Sequence, residues 1–185
     1  MKEDVKLNAV LNEKPEYAVW IMRQAGRYLP EYRALREKAG SFWKICFDPK
    51  LAAEATLQPI KRFGFDAAII FSDILTIPDA LGFPVIFEKT GPQLEALDLS
   101  KPIVFDQKAL DRLLPVYEAI NLVRTKLDAK TALLGFAGAP WTLACYMAAG
   151  KNDEGKAAKF WAYRNAEGFS RLKIGSASCR ERVLR

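Results

Sequence analysis

Two arginines four positions apart, Arg23 and Arg27, are the residues of this chain best suited to chemistry. They follow an apolar run, Tyr17 to Met22, which reads as a buried strand, and they precede Pro30, which fits the first turn of a helix. Gly26 lies between them and is expected to let the backbone turn tightly. A strand that ends in a doubly cationic loop before a helix suits carboxylates. Guanidinium groups grip carboxylates bidentately and keep their charge at any working pH. A second candidate, Asp73, closes another apolar run, Asp66 to Ser72; it reads equally as a helix N-cap and as a carboxylate in a site. Tyr146 sits among Leu143, Cys145 and Met147, a setting that fits a core aromatic as well as a binding phenol. Asp79, beside Pro78, reads as a turn residue, while Arg33, Arg36 and Lys38 read as a solvated helix face from which Arg36 could add a carboxylate contact.

What the chain lacks narrows the chemistry. Histidine is absent, so Ser-His and Cys-His nucleophile systems are excluded from these residues. Three cysteines, Cys46, Cys145 and Cys179, are widely spaced, so neither a disulfide framework nor a zinc site is expected, and a reducing cytoplasm is the simplest setting. No glycine-rich dinucleotide or phosphate loop is present, nor a motif for a pyridoxal or thiamine cofactor. Any reaction must use Arg, Lys, Asp, Glu, Tyr, Ser or Thr.

With 185 residues, half of them hydrophobic, the chain can bury a sizeable core. It holds no apolar run near the roughly 20 residues of a membrane span, and the start, MKEDVKLNAVLNEK, is polar and mixed in charge, so neither membrane nor signal segment is expected. The net charge is +6, but Lys173 to Arg185 carries four of the 28 basic residues and one of the 22 acidic ones. The rest holds 24 basic and 21 acidic residues, an ordinary balance that points away from nucleic acid.

Strand and helix signals alternate along the chain. Helices are predicted at Pro30 to Ala39, at Asp48 to about Arg62 with Asp48 as N-cap and Pro49 at N1, at Gln107 to Leu127, at Pro140 to Ala149 and at Glu154 to Leu172. Pro59 should kink the second of these or end it early. Asp66 to Phe71 and Thr131 to Phe136 are apolar throughout, as strands buried on both faces are. Pro78 to Phe105 reads as a long excursion with a small hairpin. The alternation indicates an α/β domain with a parallel sheet.

Three segments also carry a resemblance. MRQAGRYLPEYR (Met22 to Arg33), FSDILTIPDALG (Phe71 to Gly82) and GFAGAPWTLACYMAAG (Gly135 to Gly150) resemble, in order and spacing, motifs of the uroporphyrinogen decarboxylase family. The resemblance runs from about Asn8 to about Leu172 and implies a (β/α)8 TIM barrel. Such a barrel needs about 250 residues, so about its first half is expected here, over residues 1–172; the basic stretch 173–185 departs from the family at once and is expected to be a non-native tail. A half-barrel is expected to leave strand edges unpaired and to be insoluble or molten on its own.

The family resemblance implies cofactor-free decarboxylation of the four acetate side chains of uroporphyrinogen III, giving coproporphyrinogen III. It implies that Arg23 and Arg27 contact the substrate carboxylates and take part in catalysis, that the backbone of Gln24, Ala25 and Gly26 lines the same pocket, that Asp73 accepts hydrogen bonds from the pyrrole N–H groups and stabilises the positive charge that develops there, and that the Tyr146 hydroxyl binds a carboxylate. It also implies a homodimer when complete, in the cytoplasm, with no nucleic-acid or membrane partner. The alternatives are a corrinoid-linked methyltransferase on the same barrel, and an inactive fragment or polyanion binder.

Overall fold

The computed structural model describes residues 18–88, 91–95, 107–151 and 154–170. Expectations for Tyr17, for the stretch 96–106, for the end of the last helix at Leu172 and for the tail 173–185 lie outside the described residues. The chain divides into two compact units, Met1–Ser72 with Pro115–Phe136, and Asp73–Leu114 with Ala137–Arg185.

In the first unit, helices α1 (Pro30–Ala39), α2 (Phe42–Phe47) and α3 (Pro49–Phe63) precede strand β1 (Ala67–Ile69). Helix α1 starts with Pro30 at N1 and buries Tyr32, Leu35 and Ala39 on one stripe. These pack with Leu29, Ile45 and Ala55, and Phe71 lies against the same cluster. Helix α2 was not expected; Ser41 caps it by accepting from the Lys44 N–H at 3.0 Å. Asp48 caps α3 by accepting from the N–H groups of Lys50 and Leu51, and Gly64 ends it at φ 67°, a left-handed angle that glycine takes without cost. Pro59 does not end α3, which runs on to Phe63. Its missing N–H costs one helical bond, and its fully buried ring returns packing on a face with Ala52, Ala55, Thr56 and Leu57.

The parallel pairing is present. Strand β1 pairs with β4 (Ala132–Leu134) in the register Ala67↔Ala132, Ala68↔Leu133 and Ile69↔Leu134. Bonds from Ala132 N–H to Asp66 O and from Ile70 N–H to Leu134 O extend the ladder at both ends. Within this unit the core joins Ala52, Ala53 and Leu57 of α3 to Ile70, Ala119 and Val123. Thr56, fully buried, links α3 to the strand exit. Its hydroxyl donates to Ala52 O and accepts from Phe71 N–H, both at 2.8 Å.

The expected strand up to Met22 does not form over Ala18–Met22. Val19, Trp20, Ile21 and Met22 are exposed, and Met22 reaches 76%. Only Val19 is tied to the sheet region, through Asp66: its carbonyl accepts the Asp66 N–H at 3.0 Å, and its N–H donates to the Asp66 carboxylate at 2.8 Å. A side chain therefore takes one bond that a strand would give to a main-chain carbonyl.

The second unit holds α4 (Thr76–Ala80), the antiparallel hairpin of β2 (Val85–Glu88) and β3 (Gly91–Leu94), α6 (Pro140–Ala149) and α7 (Lys156–Arg164). Helix α5 (Gln107–Lys126) contributes its first turns here and the rest to the first unit. The hairpin matches the expected excursion, whereas α4 was not anticipated. Asn165 breaks the predicted last helix, and residues 166–170 are helical again. Trp161 and Phe169 meet edge to face at 5.3 Å, and Trp141 packs on Phe169 at 5.7 Å. Gly138 sits where a methyl group would lie 2.7 Å from the fully buried Leu143 side chain and 3.3 Å from Ile74.

Replacing Thr56 by Val should lower unfolding free energy by about 1–3 kcal/mol, since the half-buried Phe71 N–H loses its acceptor, whereas Thr56→Ser should stay near wild type. Gly138→Ala should cost about 1–3 kcal/mol by overpacking. Urea unfolding of the three variants checks both; a Thr56→Val protein as stable as wild type would show that the hydroxyl bridge contributes nothing.

Candidate active site

The arginine loop is built around Gln24, not Gly26. Gln24 is 3% exposed, while Arg23 and Arg27 on either side are exposed. The Gln24 side chain reaches the edge of β1 opposite β4. There its Nε2 donates to Ala67 O at 2.6 Å and its Oε1 accepts from Ile69 N–H at 2.9 Å. Asp66 O and Ile70 N–H bond to the β4 side, so strand alternation turns the Ala67 and Ile69 groups to the other edge. They are the two groups a further parallel strand would engage, and the Gln24 amide engages them instead.

Gly26 has an ordinary negative φ, and a Cβ there would meet only the Tyr28 ring at 3.4 Å. The turn it begins is closed by Leu29 N–H donating to Gly26 O at 3.0 Å, so glycine's conformational freedom is not used. Other bonds stiffen the loop. The Tyr28 hydroxyl donates to Gln24 O, and burial raises the Tyr28 pKa, with the nearby Glu31 carboxylate adding to it. Arg33, exposed as expected, also donates from Nη1 to Arg27 O at 2.9 Å. Among the described residues the main-chain N–H groups of Gln24, Ala25 and Gly26 make no hydrogen bond. Three consecutive unpaired donors between two guanidinium groups favour an anion.

Arg36 is half-buried, and its Nη1 is buried without a hydrogen-bond partner among the described residues. It lies near Tyr32, whose pKa burial raises and the Arg36 and Arg27 charges partly pull back. A buried guanidinium N–H without an acceptor is costly, and a ligand carboxylate would relieve it.

In the second unit, Asp73 is half-buried at the turn into α4. Its Oδ1 accepts from Leu75 N–H at 2.8 Å, and its carbonyl accepts from the Thr76 N–H and hydroxyl. This is an Asx-type turn and not an N-cap, because Leu75 holds the cap position. Burial raises the Asp73 pKa above the usual carboxylate range, and the Leu75 N–H only partly offsets it. Tyr146, on α6, is half-buried, with Leu143, Ala144 and Met147 buried beside it. Asp79 is no turn residue: it lies buried in α4 and is ion-paired with Arg112 at 2.8 Å. The 33 positions between them leave no local signal of that pair.

The site expectations thus fall into two groups. Arg23, Gln24, Ala25, Gly26 and Arg27 share one loop in the first unit, and Asp73 and Tyr146 belong to the second. A separate cleft of about 790 Å³ on the first unit is lined by residues of α1, α3 and α5, among them Lys50, Gln58, Lys61 and Lys126, and includes none of these seven. Among the described residues no helix is long and apolar enough to cross a membrane.

Comparison with known proteins places these features in a family. The family sequence model described as Uroporphyrinogen decarboxylase (URO-D) matches residues 1–177. A protein named uroporphyrinogen decarboxylase from Chelativorans sp. (strain BNC1) is 50% identical over 172 residues, which cover 90% of this chain and 50% of that protein. One of the same name from Brucella ovis is 54% identical over 157 residues, covering 83% of this chain and 46% of that protein. The chain spans about half the length of the curated relatives it matches. Among solved structures, a methyltransferase from Methanosarcina mazei superimposes with a TM-score of 0.65 at 20% identity, over 92% of this chain and 51% of that one, a likeness of fold. The parallel strand pair, the alternating helices and these matches agree on part of a (β/α)8 barrel, and the chain belongs to the uroporphyrinogen decarboxylase family.

Proposed function

We propose that this chain is the N-terminal half, residues 1–172, of a uroporphyrinogen decarboxylase, a carboxy-lyase of porphyrin and haem biosynthesis. Support comes from the family match and from one observation above the others: exposed Arg23 and Arg27 flank three backbone N–H groups that are unpaired among the described residues, on a loop fixed to β1. That loop fits the carboxylates of a tetrapyrrole. Arg36, with its unpartnered Nη1, adds a further contact. Tyr146 binds another carboxylate through its hydroxyl.

Decarboxylating an acetate leaves an electron pair on a CH₂ group, and the pyrrole ring itself is the sink. Protonation of a ring carbon makes the ring cationic. The C–CO₂ bond then breaks, CO₂ leaves, and its electron pair flows into the ring to give an exocyclic methylene. Protonation of that methylene makes the methyl group, and loss of the ring proton restores the pyrrole. The net uptake is one proton per CO₂. Asp73 accepts from the pyrrole N–H groups and stabilises the cation, a task for an ionised acceptor in a partly desolvated setting. Arg23 and Arg27 orient the acetates and hold the propionates. We place the complete enzyme in the cytoplasm as a homodimer, acting without cofactor, nucleic acid or membrane. The methyltransferase reading rests on fold likeness alone.

Anaerobic assay with uroporphyrinogen tests this reading. In an active decarboxylase containing this half, Asp73→Asn should cut turnover by about 100-fold or more while leaving the fold intact; wild-type turnover would remove Asp73 from the mechanism. Arg23→Ala and Arg27→Ala should each weaken uroporphyrin binding by about ten- to a hundred-fold, the loss of a charge-assisted hydrogen bond.

Asp73 also sets a pH signature. Because its folded pKa lies above its unfolded one, the protonated form stabilises the fold at low pH, and that stability is lost as pH rises through the raised pKa. Asp73→Asn should therefore be more stable than wild type at pH 7, and the gap should close as pH falls. Urea midpoints across pH 4 to 7 for both proteins would refute the burial cost if the gap were flat.

A further inference from the structure

We infer that Gln24 is a positioning residue whose side-chain amide, seated on the open edge of β1, sets where Arg23 and Arg27 stand. The inference rests on the decarboxylase reading only for what the arginines hold; the placement itself is structural.

Three observations carry it. Gln24 is the one loop residue from Arg23 to Arg27 that is fully buried, and it is polar. Both ends of its amide are used, Nε2 on Ala67 O and Oε1 on Ile69 N–H, across 43 and 45 positions of chain. The main chain from Trp20 to Arg23 makes no hydrogen bond to β1 among the described residues, so the amide stands in for a strand that the loop does not provide. Arg23 directly precedes it and Arg27 follows three positions on. Anything that unseats the amide therefore shifts both guanidinium groups together and frees the Gln24 carbonyl that Tyr28 holds.

Side-chain chemistry makes the role specific. Glutamine offers a donor and an acceptor from one planar group. Methionine keeps the length and loses both bonds. Glutamate keeps the shape, and only its protonated form can donate to Ala67 O; the ionised form sets a negative charge against that carbonyl. The charged groups closest in sequence to the contact are Arg23, Arg27 and Asp66, and Asp66 holds Val19 N–H.

The test uses the 185-residue chain as wild type, Gln24→Met and Gln24→Glu. Hydrogen exchange at the Ile69 amide is followed at pH 5 and pH 8, with the Ile70 amide, bonded to Leu134, as internal reference. Gln24→Met should lose at least tenfold protection at Ile69 and keep it at Ile70. Gln24→Glu should resemble wild type at pH 5 and the methionine variant at pH 8. Trypsin should cut after Arg23 and Arg27 at least several-fold faster wherever Ile69 protection is lost, with cleavage after Arg62 unchanged. Equal protection at Ile69 in all three proteins, or unseated amides with unchanged cleavage, overturns the inference. Uroporphyrin affinity is measured in parallel. If Arg23→Ala and Arg27→Ala leave it unchanged, the decarboxylase reading of the loop fails while the exchange result still decides the positioning role. If the arginine variants lose affinity and Gln24→Met does not, the positioning role fails alone.

Discussion

An amide side chain laid against a strand edge governs this molecule's candidate chemistry. The Gln24 contact with Ala67 and Ile69 joins the arginine loop to the sheet, and every other loop bond presumes it. Tyr28 holds the Gln24 carbonyl, Arg33 holds the Arg27 carbonyl, and Leu29 closes the turn from Gly26. These are short-range bonds that shape a loop; they do not place it. Placement comes from two bonds to main-chain groups, which cannot move unless β1 moves. Strand β1 in turn is fixed by β4 on its other side and by the Thr56 hydroxyl at its exit. Helix caps, sheet register and loop geometry therefore form one chain of dependence.

That dependence explains which parts of the structure are legible in sequence. Asp48, Pro49 and Gly64 act within a few residues of where they stand, so both ends of α3 can be read directly. The apolar runs that became β1 and β4 announce themselves by composition, and they pair in parallel. Gln24 cannot be read this way, because its partners lie more than 40 positions on. The same holds for Thr56 with Phe71 and for Asp79 with Arg112. Ala18 to Met22 misleads for a related reason: apolar residues signal a strand, but the Ala67 and Ile69 groups such a strand would engage are taken by a side chain. Pro59 misleads because local backbone rules ignore what a buried ring contributes to packing. Motif likeness picked out the loop and Asp73, and left open what holds either in place.

The two groups of candidate residues are prepared differently. The loop offers N–H donors that are unpaired among the described residues and exposed guanidinium groups, so its field favours anions before any ligand arrives. Asp73 is half-buried with one hydrogen bond to its carboxylate among the described residues, an arrangement that costs stability and favours a cation or a donor. Such pre-set mismatch is how a folded protein holds in reserve the interactions a ligand will complete.

The Gln24 contact has a consequence beyond the site. A strand edge with free N–H and C=O groups is a template on which strands of other chains can grow. At Ala67 and Ile69 both outward groups are occupied by one side chain, and β4 covers the opposite edge. Two atoms of a glutamine thus close β1 to intermolecular strand addition, so the residue that steadies the arginines also keeps β1 from recruiting strands of other chains.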